Sequence, residues 1–149
     1  MPSEQIEGWW DMKEKVIYIT DKDKKRLKQL IRDARAFGSE HEVYLKKLEG
    51  ELNRAKVVKS KEIPKDLITM NSKVRLKDLD TREEMIYRLV FPDAADPEQN
   101  KISILAPIGT ALIGYRVGDV IEWKVPAGLR KLKVLEVLYQ PEAAGDYHL

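Results

Sequence analysis

The hydrophobic period of this chain changes once, and that change limits what it can fold into. Up to about residue 58 the apolar residues recur at spacings of three and four. Leu27, Leu30, Ile31, Ala34 and Phe37 form one stripe, and His41, Leu45, Leu48, Leu52 and Ala55 form a second, heptad-like seam. From Leu67 onward the spacing is two. Val74 and Leu76 alternate with Lys73 and Arg75, and Met85, Tyr87, Leu89 and Phe91 alternate with Ile86, Arg88 and Val90. Between the two regimes, residues 59–66 are polar and contain Pro64, which disfavours helix at Ile63. Helices first and strands afterwards predict an α+β chain.

Local signals place the elements. KVIYIT (15–20) reads as a short edge strand or a lead into the first helix. Thr20 is the N-cap of that helix, and Asp23 completes a capping-box pattern. Gly38 breaks the helix, and Ser39 with Glu42 supplies a second box. Two amphipathic helices joined by so short a turn predict an antiparallel helical hairpin, about 16 residues and roughly 24 Å long in each arm. Asp78 to Thr81 reads as a turn, residues 92–99 as a loop, Lys101 to Leu105 as a strand and Gly109 to Ile113 as a short helix. Val120 to Val125 and Arg130 to Tyr139 follow as strands around a Pro126-Ala127-Gly128 turn. The expected layout is a lead at 1–19, a hairpin at 20–58, a linker at 59–66 and an antiparallel sheet domain at 67–149.

Composition narrows the chemistry. The net charge of +2 gives no case for free nucleic acid as the main ligand, although residues 21–36 hold seven Lys/Arg against three acids. Without cysteine there is no disulfide framework and no thiolate zinc site. No apolar run reaches the ~20 residues of a membrane span, and the start of the chain lacks a secretion-signal pattern. A soluble cytoplasmic protein is expected. Enzyme signatures such as a Walker loop, GxGxxG or HExxH do not occur. The two histidines, His41 and His148, are far apart, so neither a catalytic nor a metal site is expected, and no cofactor. The polar candidates cluster at the hairpin tip, Phe37, Ser39, Glu40, His41 and Glu42. A basic helix face is formed by Lys24, Lys28, Arg32 and Arg35. Trp9 and Trp10 stand in the unpatterned lead.

The block ILAPIGTALIGYRVGDVIEW (104–123), behind a short helical hairpin, resembles the Gre family of RNA polymerase secondary-channel factors. ITMNSKVRLKDLD (68–80) and VLYQPEAAGDYHL (137–149) are similar to one branch of it, the regulators of nucleoside diphosphate kinase. The resemblance implies an FKBP-like C-terminal domain with a short helix. It also implies docking on the polymerase rim through the positions of Leu105, Ala106, Pro107 and Ile108. Cleavage factors of the family carry an acid and a serine where Leu105 and Ala106 stand, so the contact here is more apolar. Their coiled coil is about twice as long and carries tip acids to the catalytic Mg²⁺, which this arm is too short to reach.

The expectation is therefore a transcription elongation regulator that binds RNA polymerase and competes with longer factors without promoting cleavage. It would have no small-molecule substrate and no membrane partner, and would meet nucleic acid at most through the polymerase complex. Two alternatives stand beside it: action on the level or activity of nucleoside diphosphate kinase, and peptidyl-prolyl isomerase activity suggested by fold analogy alone.

Overall fold

A computed structural model describes residues 17–36, 42–125 and 128–146. The lead with Trp9 and Trp10, the tip residues Phe37, Ser39, Glu40 and His41, and the Pro126-Ala127 turn lie outside the described residues.

The architecture is mixed, with helices in the N-terminal part and a sheet after them. Strand β1 (Tyr18–Ile19) leads into helix α1 (Asp21–Ala36), and helix α2 (Glu42–Arg54) leads into β2 (Lys56–Val57). β1 and β2 pair in parallel, Tyr18 opposite Lys56 and Ile19 opposite Val57, which ties the start of α1 to the end of α2. At the other end Arg35 of α1 reaches Glu42 and Glu49 of α2. The two seams meet as their spacing requires. Leu27, Ile31, Leu45, Leu48 and Leu52 are buried, with Leu30, Ala34 and Ala55 packed at the margin. Thr20 caps α1, its Oγ1 accepting from the Asp23 N–H at 3.2 Å. The reciprocal half of the box is missing, because the Asp23 carboxylate is turned inward and its Oδ1 has no hydrogen-bond partner.

The sheet has five strands: β3 (Lys73–Asp78), β4 (Glu84–Val90), β5 (Lys101–Ser103), β6 (Val120–Val125) and β7 (Gly128–Tyr139). Their order is β5-β4-β3-β7-β6. Every pairing is antiparallel except β4 with β5. Two register shifts between β3 and β7 mark bulges in the long strand. The inner face presents Val74, Leu76, Leu89, Ile121, Leu132 and Val134, all buried. These side chains and the helical seams belong to one continuous core.

Helix α3 (Pro107–Leu112) starts two residues earlier than its glycine pattern predicts, because Pro107 stands at a position where its missing N–H costs nothing. After β7 a single turn of helix, α4 (Pro141–Ala144), ends at Gly145 in the left-handed region, a feature the unpatterned tail sequence did not predict. Residues 59–66 include a 3₁₀ turn at Ser60–Glu62 and the buried Ile63. They are fastened to the sheet body by Gln140, whose Nε2 donates to the carbonyls of Pro64 and Leu67 at 2.7 Å each. A bidentate Arg116–Asp66 pair adds a second tie. Among the described residues no helix is long and apolar enough to cross a membrane.

Candidate functional site

Two regions singled out by the sequence, the 105–108 segment and the helical arm, lie on one body, since α2 packs directly on α3. The segment is not all loop, because Pro107 and Ile108 are the first two residues of α3. It is fixed by bonds to Ser103 and Ile104. The Ser103 carbonyl accepts from Ala106 N–H and Ser103 Oγ from Leu105 N–H, both at 3.0 Å. Thr110 Oγ1 donates to the Ile104 carbonyl at 2.7 Å, clamping α3 onto the end of β5. Gly109 is obligatory here, because a Cβ would stand against the Ser103 carbonyl, only 2.9 Å from its carbon. The result is a fixed apolar ridge. Pro107 is exposed, while Leu105, Ala106 and Ile108 are half-buried. The ridge carries no ionisable side chain, so it is suited to contact by shape and dispersion and not to proton transfer.

The arm is ionic. Arg35 donates to Glu42 from both Nε and Nη2, and to Glu49 through Nη1 at 2.9 Å. These hydrogen bonds, Glu49's first, push its guanidinium above its ordinary value. Of the basic face, Arg35 is therefore neutralised internally. Arg32 donates to Gln29, and Lys24, Lys28 and Arg32 line the remainder of that face. Glu42, the one tip residue described, is held back along the arm by Arg35. Arg26 lies 4.0 Å above the Phe91 ring, and an open groove of about 430 Å³ runs between Arg26, Gln29, Leu30 and Asp33 on one side and Phe91, Pro92 and Asp93 on the other. The arm thus lies alongside the sheet body as far as Asp33.

Two buried polar clusters were not anticipated. Asp23 and Glu142 are 3% and 8% exposed and line one small cavity with Ile17, Ile19, Thr69 and Ile113. Thr69 Oγ1 donates to Glu142 at 2.7 Å. Burial, then the Glu142 charge, raises Asp23 to about 6. At the α2–α3 junction burial lowers Lys47 to about 8, opposed by Glu51, and raises Tyr115 to about 12. The signal that could have revealed Asp23 is its place four residues before Leu27, on the apolar stripe. Among the described residues no three His, Cys, Asp or Glu side chains gather as a metal site.

Residues 63–139 match the family described as "Transcription elongation factor, GreA/GreB, C-term", and residues 15–58 match "Rnk N-terminus". The chain belongs to the Gre family, in the branch of the regulators of nucleoside diphosphate kinase. It is 46% identical over 103 residues to the regulator of nucleoside diphosphate kinase of Escherichia coli K12, covering 68% of this chain and 76% of that one. With the elongation factor GreA of Clostridium botulinum (strain Langeland) it shares 36% identity over 146 residues, 88% of this chain and 91% of the relative. A solved Nitrosomonas europaea structure, described as a prokaryotic transcription elongation factor GreA/GreB, superposes with a TM-score of 0.72 at 40% identity. That match covers 83% of this chain and 99% of that one. The architecture is thus that of a Gre factor, and the relatives are named as regulators and elongation factors.

Proposed function

We propose that this Gre-family protein is a cytoplasmic regulator that binds RNA polymerase at the mouth of its secondary channel and competes there with longer Gre-type factors, without stimulating transcript cleavage. In this reading the two helices are a short antiparallel hairpin, residues 20–58. The sheet wrapped on α3 is an FKBP-like docking domain, residues 67–149, with Leu105, Ala106, Pro107 and Ile108 at its leading edge. The ridge's fixed backbone and apolar surface suit a preformed contact that loses little freedom on binding.

The observation that carries the proposal is the reach of the arm. Helix α1 has 16 residues, which is about 24 Å, and it lies beside Phe91 and Pro92 for much of that length. What extends past the body is shorter still. Two-metal chemistry needs carboxylate oxygens at about 2.1 Å from Mg²⁺. Glu42 is moreover engaged by Arg35, which leaves the tip without a committed metal-binding acid on α2.

The test is a transcript-cleavage and competition assay on stalled elongation complexes. Addition of the protein alone is expected to leave cleavage at background, and to suppress cleavage stimulated by a longer factor in a dose-dependent way. Cleavage stimulated by this protein and lost in Glu40→Ala/Glu42→Ala would overturn the proposal. The name of the Escherichia coli relative favours a second reading, an effect on nucleoside diphosphate kinase. Adding purified protein to that kinase and following phosphoryl transfer separates direct action from action through transcription.

A further inference from the structure

The outer face of the sheet carries cations in register. One row crosses four strands, Lys101 opposite Arg88, Arg88 opposite Lys73 and Lys73 opposite Tyr139. Neighbouring strands are about 4.8 Å apart, so this row sets three cations within roughly 10 Å. Four residues along β3, about 13 Å away, Lys77 stands between Lys133 of β7 and Glu84 of β4, a second row with two cations and one acid. Between them lies the row of Ile86, Arg75 and Glu136, with Ile86 41% exposed.

The acids on this face are already engaged. Arg75 bridges Glu84 and Glu136. Asp96, beside Lys101, accepts from the Glu98 N–H and from Gln99 Nε2 to cap its own turn. Asp146 accepts the Tyr139 hydroxyl at the row's end. By contrast, no ion pair among the described residues engages Lys73, Lys77, Lys101 or Lys133. Arg88 lies 5.0 Å from the Tyr139 ring centroid, so a guanidinium and a phenol stack on the same surface. The small net charge of the whole chain conceals this segregation.

We infer that this sheet face, through Lys73, Lys77, Lys101, Lys133 and the Arg88–Tyr139 stack, binds the backbone of single-stranded RNA. A polyanion complements unpaired cations spread over two rows, and exposed Ile86 with the Arg88–Tyr139 pair gives unstacked bases a surface that a duplex could not use. The choice of RNA among single strands rests on the transcription reading above. The face lies on β3, β4, β5 and β7 and does not include the Leu105–Ile108 ridge.

Fluorescence anisotropy with a labelled single-stranded RNA of about 20 nucleotides and mixed sequence tests this on the full chain, without polymerase. Binding with a Kd on the order of 1–100 µM at low salt is expected, with log K falling against log[KCl] at a slope of about −3 for four phosphate contacts. Lys73→Gln/Lys133→Gln, both on exposed positions, should weaken binding about tenfold or more and make the slope shallower by roughly 1.4, with an unchanged circular dichroism spectrum. An absence of saturable binding, an unaffected double variant, or tighter binding of duplex DNA or of a poly-glutamate peptide would each overturn the inference. Because polymerase is absent, RNA binding can fail while polymerase retention succeeds, and the reverse, so the two proposals fail separately.

Discussion

Gly109 sets its Cα against the carbonyl of Ser103, where any side chain would collide with backbone. That approach lets α3 close onto the end of β5 and gives the 105–108 ridge its shape. The neighbour is main chain held in place by Ala106, so it cannot yield cheaply. Gly109→Ala is expected to cost about 3 kcal/mol through overpacking, lowering Tm by roughly 6–12 °C; under the proposed docking it should also weaken polymerase retention. A variant with wild-type Tm by calorimetry would mean that the ridge tolerates a shifted helix.

Asp23 of α1 and Glu142 of α4 line one buried cavity, and the burial of Asp23, reinforced by the Glu142 charge, makes stability depend on pH in an unusual direction. Asp23 is raised to about 6 when folded, above its unfolded value of about 3.9. The native state therefore holds this proton more tightly than the unfolded chain, and stability falls as pH rises from about 4 through 6. Lys22 and Arg26 on α1 moderate the rise without cancelling it, and Tyr18 and Thr69 complete the cavity wall. Asp23→Asn keeps the N–H that Thr20 caps and removes the charge. It should stabilise the protein at pH 7.5 by on the order of 3 kcal/mol, the gain fading toward pH 4. Urea titrations at the two pH values measure this, and a gain that is equal at both would exclude the charge as its cause.

The parts of the fold legible in the sequence are those with a repeating period. The Leu45-Leu48-Leu52 seam and the Val74-Leu76 alternation emerge because burial repeats along each element. Helix α4 was not legible, since four residues give no period to detect, and its role depends on Glu142 folding back beneath Thr69. Helix α3 was misplaced by two residues because Pro-Ile-Gly reads equally as a turn and as a helix start. The ridge was located through family resemblance, while its rigidity depends on Ser103 and Thr110, whose bonds span only a few residues but require the β5–α3 corner to exist. Lys73, Arg75 and Lys77 advertise one basic strand face, yet the alignment of Lys73 with Arg88 and Lys101, and of Lys77 with Lys133, depends on pairing and on the β7 bulges, which no local pattern encodes.

Asp78 closes the β3–β4 turn and pins β7 to it. Its Oδ1 accepts from the N–H groups of Asp80 and Thr81, and its Oδ2 from Arg130 at 2.7 Å. The two backbone bonds, followed by Arg130, hold the carboxyl below its ordinary value. Its contribution is thus present above the unfolded carboxylate range near pH 4 and is lost as pH falls through the lower folded value. Asp78→Ala is expected to lower Tm at pH 7, with the gap to wild type narrowing at pH 3 and below. A gap of constant size across that range would assign the loss to packing.

Leu48 sits on α2 with no exposed surface, in the same core as Leu76 of the sheet. A helical arm that folded independently of the sheet would melt on its own. A shared core instead predicts that the arm and the sheet unfold together. Leu48→Ala deletes most of a buried side chain and leaves a cavity in this shared core, which costs about 2–5 kcal/mol, or roughly 4–20 °C in Tm. The loss should appear equally in helical circular dichroism at 222 nm and in amide exchange of β3 and β7, as one transition. If the helical signal melted early while the β3 and β7 amides kept wild-type protection, the arm would be a separately folding unit.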